Sequence, residues 1–309
     1  MSIFLISLTI MGLCLFEIVS SVDNAIINAE VLSGMSQRAR KWFLFWGLLF
    51  AVFVIRGTLP WIIVWSVNPG LGPIGALTAT FSNNPEVKAS IARSAPILLA
   101  GGGIFLIFLF VHWLLVEPKK YGFFGEKFFH SQSVWFYGVV SVILSVTVWY
   151  AMKIDHMMAF GCVIGSTVFF IMLGFKQSAE LSEKELVKST HSDISKIIYL
   201  EAIDASFSID GVLGAFAFTM SVPLIIIGNG IGALVLREFT VRNIDTIKNF
   251  AYLKNGAMYS IFVLGLIMIS EAFGTHVPSW VSPVITFMIV GYFFFKSVSE
   301  ARTEAMETE

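Results

Sequence analysis

Carboxylates interrupt two otherwise apolar runs of this chain, and both interruptions share one spacing. The first reads Phe16-Glu17-Ile18-Val19-Ser20-Ser21-Val22-Asp23-Asn24. The second reads Glu201-Ala202-Ile203-Asp204-Ala205-Ser206-Phe207-Ser208-Ile209-Asp210-Gly211. With Asp23 laid on Asp210, Glu17 falls on Asp204 and Ser21 on Ser208. Each copy is thus an acid, three residues, Ser, one apolar residue and Asp. Glu201 is an extra carboxylate that aligns with Cys14. A charged side chain at the bilayer centre costs roughly 2.5–3.5 kcal/mol on insertion scales. Glu17, Asp23, Glu201, Asp204 and Asp210 therefore call for basic partners, protons or a cation. Arg56 and Arg237 neutralise two at most, and the remainder suits a divalent-cation site with proton exchange.

The candidate metal ligands are Glu17, Ser21, Asp23, Asn24, Glu201, Asp204, Ser208 and Asp210, with Arg56 and Arg237 as counter-charges. This set offers carboxylate, hydroxyl and amide oxygen and neither His nor Cys. Manganese, magnesium and calcium fit it better than zinc or copper. On a helix, Glu17, Ser21 and Asn24 share a face, with Asn28 extending the stripe, while Asp23 points about 120° away from Glu17. Glu201, Asp204 and Ser208 share a face in the second copy. Either both helices unwind near the Ser-x-Asp element, so that all the oxygens converge, or each copy feeds two adjacent sites. Gly211 makes a break cheap in the second copy. The same residues also fit structural roles: Asp–Arg pairs that fix helix register, and Ser21, Ser208, Asn24, Asn28 and Asn229 as hydrogen-bonding links between helices. His112, late in its apolar run, reads as packed or interfacial rather than as a ligand.

Apolar helices have to position these groups. The 309 residues are 56% hydrophobic and 13% charged, with a mean hydropathy of +0.81, against about 25% charged in soluble domains. The expected fold class is an all-α polytopic membrane protein. A net charge of −1 offers no basic surface to nucleic acid. Cys14 and Cys162 lie in apolar segments and suggest neither a disulfide framework nor a zinc knuckle. Residues 1–15 lack a basic start and a small-residue cleavage site, so they read as the beginning of a retained span.

A spanning helix takes about 20 apolar residues. That rule predicts nine spans, near 2–33, 42–68, 94–116, 133–152, 157–175, 197–220, 222–240, 256–274 and 279–296. Pro69 to Arg93, rich in Gly, Pro and Asn, reads as an external loop. With the N-terminus outside and the C-terminus inside, sixteen Lys and Arg fall on inner segments. Only Lys88, Arg93 and Lys153 fall outside, as the positive-inside rule requires. The chain then divides into a membrane half at 1–175 with the first motif, a cytoplasmic linker at 176–196, a second half at 197–300 with the second motif, and a flexible tail at 301–309. The two motifs run in opposite directions, and an inverted-topology repeat with polar motifs near mid-membrane is the signature of a secondary transporter. Gly47 to Arg56 and Gly228 to Arg237 extend the similarity, each ending in arginine.

At this point the pattern Glu17-x-x-x-Ser21-x-Asp23-Asn24 resembles the Glu…Ser-x-Asp-Asn element of the TerC family of integral membrane proteins. Glu201-x-x-Asp204-x-x-x-Ser208-x-Asp210 resembles that family's second acidic element, and Arg237 matches the arginine after it. TerC-like proteins belong to the wider LysE-type transporter superfamily, with two inverted three-helix repeats. The resemblance implies manganese(II) export from the bacterial cytoplasm across the inner membrane, with the ion as transported substrate and no tightly bound cofactor. The chain departs from the family's usual form in having nine expected spans instead of seven, and Gly211 where Ser is usual. The expectation is therefore a divalent-cation exporter and not an enzyme. Its alternatives are a metal-delivery scaffold or an intramembrane acid–base enzyme, the latter disfavoured because no Gly-x-Gly-Asp or His-Glu-x-x-His element is present. Its partners are a divalent metal ion and the lipid bilayer. The Phe-rich faces fit lipid or the second subunit of a homo-oligomer equally well.

Overall fold

The computed structural model describes residues 2–22, 35–47, 50, 54, 56–79, 85–188, 193–248 and 250–307, and among them every regular element is helical. In chain order these are α1 (Ile3–Ser20), α2 (Gln37–Trp42), a π-helical turn (Phe43–Gly47), α3 (Arg56–Val67), a 3₁₀ turn (Pro69–Leu71), α4 (Gly72–Thr78), α5 (Pro85–Leu115) and α6 (Glu126–His130). A second 3₁₀ turn (Ser133–Trp135) leads into α7 (Phe136–Ala151), α8 (His156–Lys188), α9 (Asp193–Ala215), α10 (Val222–Lys248), α11 (Leu253–Ala272) and α12 (Val281–Glu307).

Six of the described helices are long and apolar enough to cross a membrane: Ile3–Ser20, Pro85–Leu115, Ser133–Ala151, His156–Ser178, Leu253–Ala272 and Val281–Thr303. They correspond to six of the nine expected spans. The other three differ for separate reasons. The 42–68 segment is divided between the π turn and the twelve-residue α3, which has Pro60 inside it. The 197–220 segment lies in α9 as far as Ala215 and carries Glu201, Asp204 and Asp210. The 222–240 segment is apolar only over Val222–Leu236.

One expectation about a connection is corrected. Residues 69–93 are largely helical where a loop was expected, because their prolines open elements. Pro69 and Pro85 begin the 3₁₀ turn and α5, and Pro73 lies in the first turn of α4. Proline is tolerated there, since the first N–H groups of a helix have no intrahelical acceptor. The polar segment after Lys176 continues α8 as far as Lys188. Its Glu, Leu and Lys residues are strong helix formers.

The core is built around α5, which packs between α8 and α11. Glycines set both contacts. A Cβ on Gly101 would lie 2.7 Å from the Gly161 carbonyl oxygen, and one on Gly103 would lie 3.0 Å from that of Gly265. Small residues let backbones approach where lipid gives no hydrophobic drive to association. Around this contact Phe105, Phe108 and Phe169 are fully buried and meet edge to face, with centroids 6.0 and 5.6 Å apart. On the other side α1 packs against α10 and α12, and this side holds the acidic motifs.

Candidate membrane ion site

Glu17 occupies the last turn of α1 and is 1% exposed. Helix α1 stops at Ser20, where the sequence allows for a break, and Ser21 leaves the helical conformation at φ −98°, ψ 5°. The Ser21 hydroxyl donates to Oε1 of Glu17 at 2.7 Å. The guanidinium of Arg56, the first residue of α3, pairs with the same oxygen and lies 3.4 Å from the Ser21 hydroxyl. Arg56 is 4% exposed. An acid, a base and a hydroxyl from two distant parts of the chain thus form one buried unit in which each charge has a partner, as burial requires.

Helix α9 approaches this unit at Gly211. A Cβ there would stand 2.9 Å from Oε2 of Glu17 and 3.9 Å from the Ser20 hydroxyl. The neighbouring Asp210 carboxylate accepts from the Gly211 N–H at 2.9 Å and lies within electrostatic range of both Glu17 and Arg56. The break that Gly211 would make cheap does not occur, and α9 continues to Ala215. The glycine is needed for closeness, not for a bend. Because α9 is unbroken, Glu201 and Asp210 are nine residues apart, about 180° around the axis and about 13 Å along it. Convergence of all the second-motif oxygens by unwinding is therefore overturned, and the two ends of the motif face different surroundings. Glu201 lies against Gly47 of the π turn instead.

Glu17, Ser21 and Arg56 are brought together, with Asp210 beside them. Asp23 and Asn24 fall outside the described residues. The backbones of Asp204 and Ser208 lie within α9 and that of Arg237 within α10, while their side chains are outside the described set. Among the described residues no three His, Cys, Asp or Glu side chains are grouped closely enough to hold a metal ion. A metal site here has to draw on the remaining acids.

Two carboxylates that the sequence reading passed over organise further contacts between the helices. Glu117, just past α5, bonds Lys176 of α8 at 2.7 Å and Lys254 of α11 at 2.8 Å, with His112 at 3.5 Å. Burial alone would raise its pKa, but the His112 contact and the two ammonium groups outweigh it and hold the carboxyl well below the usual range. Glu126, 2% exposed, accepts from the Gly122 and Phe123 N–H groups at 2.8 and 3.2 Å, from Asn255 at 3.3 Å and from the Tyr259 hydroxyl at 2.8 Å. Both acids sit in a segment that the sequence reading counted only for its basic residues. The one available signal was a lone Glu following Gly122 and Gly125 in an aromatic stretch.

A family model described as "Protein of unknown function (DUF475)" matches residues 22–304. The chain belongs to that family. It is also 32% identical over 82 residues to the uncharacterized membrane protein YceF of Bacillus subtilis (strain 168). That match spans 26% of this chain and 32% of the relative, about a third of its length. No solved structure matches significantly. The relative's description, with six span-length apolar helices among the described residues, makes this chain a membrane protein. Neither match points to the TerC family or to manganese.

Proposed function

We propose that this DUF475 chain is a secondary transporter for a divalent cation, exporting manganese(II) from the cytoplasm in exchange for protons. The observation that carries the reading is the buried Glu17–Arg56 pair with Asp210 beside it. Ionisable groups inside a membrane protein are costly and are kept where an ion or proton passes. Arg56 acts as a tethered counter-charge that holds Glu17 until a cation takes its place. Glu17 and Asp210 serve as ligands or proton carriers, joined by Asp23, Asn24, Ser21, Asp204 and Ser208, while Glu201, against Gly47, stands apart from this group. The two acidic motifs belong to inverted repeats that rock against each other, as in other transporters with polar sites at mid-membrane. Manganese and the outward direction rest on the motif resemblance.

The test is manganese(II) flux into sealed proteoliposomes with an interior fluorescent reporter. Magnesium, calcium and zinc serve as competitors, with and without a pH gradient. Wild-type flux should respond to the gradient and fall by about tenfold or more in Glu17→Gln and Asp210→Asn. Absence of flux in a folded preparation, or wild-type flux in Asp210→Asn, rejects the reading.

A further inference from the structure

Asn229 is 0% exposed, and neither its carbonyl oxygen nor its amide nitrogen has a hydrogen-bond partner among the described residues. A buried amide without partners is costly, and native structures keep very few. The link between helices expected of Asn229 is therefore not made.

Its surroundings follow from α10. A Cβ on Gly228 would lie 2.5 Å from Cβ of Leu13, and one on Gly232 would lie 2.7 Å from both the Cys14 carbonyl oxygen and Cβ of Glu17. Those glycines press α10 onto α1 within one turn of Glu17. At 100° per residue, Asn229 lies on one flank of that contact stripe. Ile225, Ala233 and Leu236 share its flank and are buried, whereas Ile227, Ile231 and Leu234 on the opposite flank are exposed. Besides α1, helix α10 touches α3, α4 and α9, and these neighbours must cover the buried flank. Asn229 consequently sits on the flank beside α1 that α3, α4 and α9 cover, and α1, α3 and α9 carry Glu17, Arg56 and Asp210.

We propose that Asn229 is a ligand of the cation pathway, its amide oxygen facing a hard divalent ion or that ion's own water. Amide oxygens bind such ions alongside carboxylates. The assignment deepens the transporter reading and rests on it for the class of ion.

The test is the shift in thermal unfolding of the purified full chain in detergent on addition of manganese(II), magnesium or calcium. Wild type should gain several degrees with at least one ion, as binding to the folded state alone requires. Asn229→Leu, which removes the orphaned amide, should keep or raise the ion-free midpoint and lose the shift, with apparent affinity down by about tenfold or more. Asn229→Asp should fold and shift further than wild type. A wild-type shift retained in Asn229→Leu, an unchanged shift in Asn229→Asp, or no shift in the wild type with any of the three ions overturns the assignment. The flux assay judges the transporter reading separately: a wild-type protein that is shifted by the ion but carries no flux rejects transport and leaves Asn229 as a binding residue.

Discussion

A Cβ on Gly211 would stand 2.9 Å from Oε2 of Glu17, so α9 reaches the buried Glu17–Arg56 pair because the residue after Asp210 has no side chain. The carboxylate cannot swing aside freely, since Ser21 and Arg56 hold its other oxygen.

Gly211→Ala therefore separates stability from function. Alanine gains about 1 kcal/mol of helix propensity over glycine, and pushing the pinned carboxylate costs a similar amount. The unfolding midpoint should stay within a few degrees of wild type. Cation flux should fall by about tenfold, because Glu17 is displaced from the position that Asp210 faces. A variant with full flux would show that the Gly211–Glu17 approach has no part in transport.

Removing one member of the buried pair should be worse than removing both. Breaking a buried ion pair typically costs about 3–5 kcal/mol, because the surviving charge has no partner, whereas replacing both with apolar groups is often neutral. Arg56→Met should lower the unfolding midpoint sharply and Glu17→Leu comparably, while the double variant should recover most of the loss. A double-mutant cycle on detergent-purified protein measures the coupling. Additive losses would mean that the two groups do not depend on each other.

The pH dependence of the Glu117 cluster has a definite sign. The Glu117 carboxyl is held well below its ordinary value, since His112, Lys176 and Lys254 outweigh its burial. A folded-state pKa below the unfolded one adds stability that is complete above the unfolded value of about 4.3 and is lost as pH falls through the folded value. Wild type should thus be more stable than Glu117→Gln at pH 7 by about 1–3 kcal/mol. The gap should narrow as pH drops below about 4.3, read as midpoints across a pH series. A gap independent of pH would assign the effect to packing.

How much of this was legible in the sequence depends on the range of the interaction. The six long apolar helices were readable because a span is a property of about 20 consecutive residues. The helical turns at 69–78 and the helix from Pro85 were missed because proline marks a turn and a helix start alike, and the distinction lies in the residues that follow. Glu17, Ser21 and Arg56 were singled out by residue type, but their joining into one unit depends on α3 folding back across 39 residues of chain. Gly211 pointed in sequence only to a cheap break, since its real constraint, the Glu17 carboxylate, comes from another helix. Glu126 gave no periodic signal at all, because its partners Asn255 and Tyr259 lie 129 and 133 residues away.

That remoteness makes Glu126 a test of what fixes the segment after α5. One carboxylate closes the Gly122–Phe123 turn through two backbone N–H groups and ties it to α11 through Asn255 and Tyr259. Asn255 also donates to the Lys120 carbonyl oxygen at 3.0 Å, and Lys296 of α12 reaches that of Gly122. Hydrogen bonds to a charged group are worth about 1.5–3 kcal/mol each, so Glu126→Ala removes several at once and strands buried donors. It should destabilise the protein by about 3 kcal/mol or more, and exchange of the Gly122 and Phe123 amides with deuterium should quicken by about a hundredfold or more, a factor of ten for each 1.4 kcal/mol of lost protection. Glu126→Gln keeps the shape but surrenders the charge, and should fall between the two. Protection unchanged in Glu126→Ala would mean that the aromatic contacts of Phe123 with Tyr259 and Phe293, at 5.0 and 5.2 Å, hold the turn by themselves.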